Sequence, residues 1–306
     1  MTNSTKEPQK IYLKDYTPPT YRVDDIYLDI RIFDDHATVS GVLNMKREHD
    51  GALVLFGREL ELLGISVNDK ALTADEYSLD GESLTIHQAP DTAKVAIEVK
   101  ITPQTNTALE GLYQSGAGDE LMFVTQCEPE GFRKIIFFPD RPDVLTEYTT
   151  RVEADKRFSV LLANGNLIQQ GDVGDDRHFA IWHDPTKKPS YLFACVVADL
   201  AVTSDHYTTS EGRDVLLEIY ASPADIDKCH VAMTALKDAM AWDEERYGRA
   251  YDLDRYMIVA TGQFNMGAME NKGLNIFNTS CVLSSPKTTT DERSFHVKAV
   301  IAHEYF

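Results

Sequence analysis

Apolar and polar residues alternate over much of the first two hundred positions, which is the period of a half-buried β-strand. Ile26, Leu28, Ile30 and Ile32 alternate with Tyr27, Asp29 and Arg31. Ala93, Val95, Ile97, Val99 and Ile101 repeat the pattern against Lys94, Glu98 and Lys100. Asp80-Gly81 separates Tyr77-Ser78-Leu79 from Leu84-Thr85-Ile86, and Asn164-Gly165 separates residues 158–162 from 167–169. Both read as hairpin turns. Many short strands divided by turn signals predict a mainly β saddle or sandwich over residues 1–200.

The pattern changes after Asp199-Leu200. Residues 215–220 read as one more strand, and Ser222-Pro223 then opens a helical segment with proline near its first position. Met233, Leu236, Met240 and Tyr247 recur at helical spacing, with Gly248 as the stop, and this stripe reads as core packing. Residues 256–260 form a short apolar strand. Thr289-Thr290-Asp291-Glu292 has the form of a capping box opening a final helix. Phe295, Ala299, Ala302 and Phe306 share one face of that helix, which is therefore expected to be buried. A second domain, residues 201–306, begins here.

A length of 306 residues suits two domains, each with its own core. The formal net charge of -19 argues against nucleic acid as a partner, because phosphates are repelled. It suits solubility, and an acidic cleft would attract the ammonium of a peptide. Residues 1–14 are polar and carry no run resembling a signal peptide. No stretch approaches the roughly 20 apolar residues of a membrane span. Cys127, Cys195, Cys229 and Cys281 are scattered without a CxxC pair, as in a reduced, cytoplasmic protein.

Three places carry candidate chemistry. His303-Glu304-Tyr305-Phe306 supplies the first His and the Glu of an HExxH helix, in which histidines at i and i+4 reach one Zn2+. The Glu then stands beside the metal as a general base for a water acidified to about 7. A histidine beside Ala299 and Val300 on a packed helix face is otherwise costly. Gly267-Ala268-Met269-Glu270-Asn271 follows a strand; Gly267 and Ala268 lack bulk, so their backbone can approach an extended peptide. Glu270 then offers a carboxylate to the α-ammonium. Glu128 lies in Thr125-Gln126-Cys127-Glu128-Pro129-Glu130, which taken alone is a charged turn. Facing Glu270, it forms a repelling pair that a bound cation relieves, and a free N-terminal amine is such a cation. The other histidines show no paired ligand spacing, and neither a phosphate-cradling loop nor a G-x-S-x-G elbow is present.

The sequence resembles the bacterial aminopeptidase N family, zinc exopeptidases with a thermolysin-like catalytic domain. The resemblance runs over nearly all 306 residues. It is carried by NTALEGLYQSG at 106–116, TQCEPEGFR at 125–133, DRPDV at 140–144, WDEERYG at 242–248, FNMGAMENKGLNIFN at 264–278 and the terminal HEYF. It implies a β-saddle domain over residues 1–200, then an incomplete thermolysin-like domain over 201–306. It implies His303 as a zinc ligand, Glu304 as general base, and Glu128 and Glu270 as the pair holding the substrate amine. Gly267, Ala268, Met269 and Asn271 complete the substrate-binding segment, and Met266 flanks the first side-chain pocket. The second His, the third zinc ligand and an oxyanion-stabilising Tyr of the family are not among these residues. The 306-residue chain is thus expected to be a truncated, inactive portion of a zinc aminopeptidase acting on peptides with a free N-terminus. Cys281 stands where the family suggests an aromatic. Two rivals are a dual aminopeptidase and epoxide hydrolase on the same scaffold, and a non-catalytic peptide-binding or scaffold module.

Overall fold

The alternating segments fold as strands. Residue 10 and residues 12–306 are described by the computed structural model; of the polar segment 1–14, residues 1–9 and 11 lie outside that description. The strand Tyr21–Ile32 buries Ile26, Leu28, Ile30 and Ile32, and Thr92–Ile101 buries Ala93 and every second residue to Ile101. Both belong to an eight-stranded sheet running Asn166–Val173, Arg177–Lys188, Thr146–Asp155, Tyr21–Ile32, Ala37–Arg47, Thr92–Ile101, Glu61–Val67 and Lys70–Ala71. Its one parallel pair is Tyr21–Ile32 with Thr146–Asp155. A four-stranded sheet (Val160–Ala163, Cys195–Ala198, Met122–Gln126, Gly111–Ser115) and a three-stranded one (Leu53–Phe56, Ser83–Ile86, Tyr77–Leu79) share its core. Asp80-Gly81 closes the expected hairpin, with Leu79 opposite Leu84.

Asn164-Gly165 is not a hairpin. Val160–Ala163 pairs with Cys195–Ala198, whereas Asn166–Val173 pairs with Arg177–Lys188, so the dipeptide is a corner between two sheets. Gly165 has φ +96, and a Cβ there would lie 2.2 Å from the His183 carbonyl oxygen, so the corner excludes other residues.

The sheet changes again after Ala198. A five-stranded sheet runs Ala201–Thr208, Asp214–Ala221, Arg255–Thr261, Leu274–Asn278 and Ala268–Met269, with the three central strands parallel. Its apolar runs are buried on both faces, as parallel strands require. Two helices, α1 (His230–Tyr247) and α2 (Asp291–Tyr305), pack together against it. Helix α1 begins eight residues after Ser222. Ser222 instead closes a tight turn by donating to Asp225 at 2.9 Å, and a short 3-10 turn follows. Met233, Leu236 and Met240 are core, but Tyr247 is 63% exposed at the fraying end before Gly248 (φ +64).

Thr290 caps α2 by accepting from the Arg293 amide, one residue later than expected and without a reciprocal Glu. The buried face of α2 is Val297, Ile301 and Glu304, not the Phe295 stripe. Phe295 is 72% and Phe306 61% exposed. Two apolar stripes compete on this helix, and the β-branched Val297 and Ile301 are the ones turned towards α1 and the sheet.

Candidate active site

Helix α2 delivers its last turn to the edge of the five-stranded sheet. His303 is exposed there, while Glu304 is 8% exposed on the buried face. Asn275, inside the strand Leu274–Asn278, donates its side-chain amide to the Glu304 carbonyl at 3.1 Å and so ties helix to sheet. Burial pushes the Glu304 carboxyl up to about 7; the nearby His303 opposes this, and the charges of Glu270 and Glu128 add to it.

Glu270 follows the edge strand Ala268–Met269, in which Ala268 pairs with Phe277 and Met269 with Ile276. The outer edge of that two-residue strand has no partner strand within the sheet. Gly267 accepts from the Asn278 amide at 2.9 Å. A Cβ on Gly267 would meet only the Cys281 sulfur, at 3.5 Å, an ordinary contact. The fold itself therefore does not demand glycine there. Met269 is buried, Met266 is 44% exposed, and Asn271 is buried with its amide donated to the Phe193 carbonyl at 3.3 Å.

Glu128 follows a strand of the four-stranded sheet. Its loop follows the strand Met122–Gln126 and closes through the Gly131 amide donating to the Cys127 carbonyl at 2.7 Å. Arg133 anchors the loop on the buried Asp140, donating to its carboxylate from Nε at 3.0 Å and from the backbone at 3.1 Å. Gln126 links the two loops, with its amide 3.4 Å from the Glu128 carbonyl and 3.9 Å from the Met269 sulfur.

Two cavities meet these groups. One of about 330 Å3 is lined by Glu270, Glu304, Asn275, Tyr256 and Tyr305. The other, about 460 Å3, is lined by Glu128, Glu130, Arg133 and Tyr191. The Tyr191 hydroxyl has its pKa raised by burial and then by the charges of Glu270 and Glu128. The two carboxylates thus act on the same neighbours, Glu304 and Tyr191, although they come from different sheets. Around them the Tyr256 hydroxyl and the amide oxygens of Gln126, Asn271 and Asn275 are buried without a hydrogen-bond partner among the described residues. Such groups are uncommon in native interiors, and four of them crowd this site.

Sequence reasoning did not find Tyr191, Tyr256 or Asn275. Asn275 had a signal: it is a polar residue inside the otherwise apolar run Leu274-Asn275-Ile276-Phe277. Tyr191 had none, since it lies in a short 3-10 turn, Ser190–Leu192, whose position is set by long-range contacts.

Among the described residues no three of His, Cys, Asp and Glu gather closely enough to hold a metal ion. His303 fits one ligand position of a zinc site, exposed and beside a carboxylate held among negative charges. A zinc site of the catalytic kind takes three protein ligands, and among these residues His303 is the side chain that could supply one. No helix among the described residues is long and apolar enough to cross a membrane.

Residues 17–192 match the model of the peptidase M1 N-terminal domain, and residues 231–306 match the peptidase family M1 domain. The chain belongs to peptidase family M1. It is 48% identical to aminopeptidase N of Caulobacter vibrioides over 307 residues, covering 99% of this chain and 35% of that protein. It is 46% identical to aminopeptidase N of Escherichia coli, covering 99% and 34%. The crystal structure of Legionella pneumophila aminopeptidase A in complex with aspartic acid superposes with a TM-score of 0.89 at 35% identity, over 96% of this chain and 35% of that one. The chain spans about a third of the length of these M1 relatives.

Proposed function

We propose that these residues form the amine-recognising half of a zinc aminopeptidase that removes N-terminal residues from peptides. The observation that carries the reading is that Glu270 and Glu304, from an edge strand and a helix, line one cavity, while Glu128, in a second cavity with Tyr191, acts with Glu270 on the charge of Glu304. Three carboxylates facing one another repel, and a bound cation relieves the repulsion. In this reading residues 1–200 are the frame and residues 201–306 the catalytic part.

Glu128 and Glu270 bind the α-ammonium of the peptide and orient its first residue. The open edge of Ala268–Met269 hydrogen-bonds the extended substrate backbone. Gly267 leaves room for that backbone, which accounts for a glycine that the fold does not require. His303 would be one zinc ligand; when bound, the metal would acidify water and polarise a carbonyl. Glu304 takes the proton of the attacking water and returns it to the leaving amine. Its burial keeps the carboxylate poorly solvated and therefore basic.

The 306 residues alone, with one ligand, are expected to bind zinc weakly and to show no turnover. The four cysteines are free and buried, in keeping with a reducing, cytoplasmic setting. The net charge of -19 fits no nucleic-acid partner.

The test is hydrolysis by the full-length protein of a peptide with a free N-terminus, set against the same peptide N-acetylated. Only the free peptide should be cleaved, one residue at a time, and a chelator should abolish the cleavage. Cleavage of both peptides at equal rates rules out amine recognition. Glu270→Gln and Glu128→Gln should each lower kcat/KM for the free peptide by roughly 10- to 100-fold, the worth of a hydrogen bond to a charged group. Steady-state kinetics of the two variants measures it; a change under about threefold removes that carboxylate from the reading.

A further inference from the structure

Glu128 and Glu270 follow strands of two different sheets. Between their loops lies the segment 190–194, and each loop is fastened to it separately. On the Glu128 side, Ser190 donates to the buried Asp140 at 2.5 Å, and Asp140 accepts from Arg133 in the Glu128 loop. On the Glu270 side, Asn271 donates to the Phe193 carbonyl.

The second fastening on the Glu270 side comes from the corner that the sequence suggested was a hairpin. Asn164 is 3% exposed, and its side chain makes three hydrogen bonds, all to backbone groups. Its amide nitrogen donates to the Leu192 carbonyl at 3.1 Å and to the Lys272 carbonyl at 2.9 Å. Its amide oxygen accepts from the Ala194 N–H at 2.7 Å. The Lys272 carbonyl lies two residues beyond Glu270 in the chain, and 192–194 follows directly on Tyr191. One amide therefore bonds at once to the bridging segment and to the Glu270 loop, across the change of sheet. The packing is close: a Cβ on Gly273 would lie 3.3 Å from the Gly165 backbone nitrogen.

We propose that Asn164 is a positioning residue, which sets Glu270 against Glu128 through these three backbone hydrogen bonds without touching substrate. The proposal rests on the reading of Glu270 as an amine ligand. Asparagine is suited to the place, because the site offers two carbonyls and one N–H, and a neutral amide supplies two donors and an acceptor. Aspartate keeps the size and the acceptor, but turns a carboxylate towards two carbonyl oxygens. Alanine removes all three bonds.

The test uses the full-length enzyme and two inhibitors: an α-amino acid hydroxamate, and the hydroxamate of the same side chain lacking the amine. Asn164→Ala and Asn164→Asp should weaken the amine-bearing inhibitor by about tenfold or more, and the amine-free one by less than about threefold. KM for an aminoacyl substrate should rise with the first value. Equal losses for both inhibitors, or no loss, overturn the proposal, since a general loosening of the fold does not distinguish an amine. Glu270→Gln in the same assay separates the two claims. If it shows no amine-selective loss, the reading of Glu270 fails; if it does and the Asn164 variants do not, the positioning role alone fails. Asn164→Ser, which keeps a small donor, is read in the same way where the larger changes prevent folding. Insolubility of all three variants makes Asn164 a folding residue and overturns the proposal.

Discussion

Glu304→Gln in the full-length protein is expected to lower kcat by about two to four orders of magnitude, the usual worth of a positioned general base. That is roughly 3–5 kcal/mol of transition-state stabilisation. Gln keeps the volume of the side chain and its polarity, so the packing of α2 is not disturbed. The backbone bond from Asn275 to the Glu304 carbonyl does not involve the side chain and is retained. What is lost is the capacity to take a proton. The proposed role rests on the carboxyl being buried, with two further carboxylates within electrostatic reach. Because the variant keeps His303, bound zinc measured by metal analysis should stay at the wild-type ratio while kcat falls. KM should change little, since the base acts on water and not on the ammonium. A fall of less than about tenfold in kcat, with metal retained, means that another group moves the proton.

The fold was legible where one face of an element is buried and the other is wet. Ile26 to Ile32 and Ala93 to Ile101 alternate because each strand has a core side and a solvent side, and burial follows the alternation closely. Legibility failed where two solutions share one pattern. Asn-Gly signals a hairpin, but here Gly165 alone takes the positive φ, at a corner between sheets, and only the pairing partners of the flanking strands reveal it. Helix α2 carries two apolar stripes, and which of them is buried depends on where α1 sits. The local sequence does not contain that information.

The candidate site divides in the same way. His303 and Glu304 are legible only as the first His and the Glu of an HExxH pattern, and only beside the segment 267–271. Glu128 and Glu270 are separated by 142 positions, and their approach follows from sheet order rather than from any local pattern. Tyr191 and Asn164 are further from view. One lies in a single 3-10 turn, and the other bonds only to backbone groups of distant segments.

Lys188→Ala is expected to destabilise the protein by about 3–5 kcal/mol, the penalty for leaving one member of a buried ion pair alone. Lys188 and Asp184 are 2% and 0% exposed and meet at 2.9 Å. The Lys188 ammonium also lies 4.0 Å from the centre of the Tyr148 ring, and Asp184 accepts from the Thr186 amide at 3.1 Å. Burial pulls the Lys188 pKa down to about 8 against the attraction of Asp184, and the charge of Lys272 pulls the same way. Lys272 itself donates to Thr186 at 3.0 Å and to Asp252 at 2.7 Å, so Thr186 connects the pair to the chain that follows Glu270. In the unfolded chain the lysine keeps its ordinary pKa near 10.4. Between pH 8 and that value the unfolded chain holds more protons than the folded one, so this group makes stability rise with pH. Below pH 8 both states are protonated and its contribution is flat. Urea midpoints of wild type and Lys188→Met, taken at pH 7, 8 and 9.5, should therefore differ most at pH 9.5. Replacing both partners, Asp184→Leu with Lys188→Met, should recover most of the loss, because no charge is then left without a partner. A single variant as stable as wild type would mean that water reaches the pair, and that its burial contributes nothing to holding the Glu270 loop.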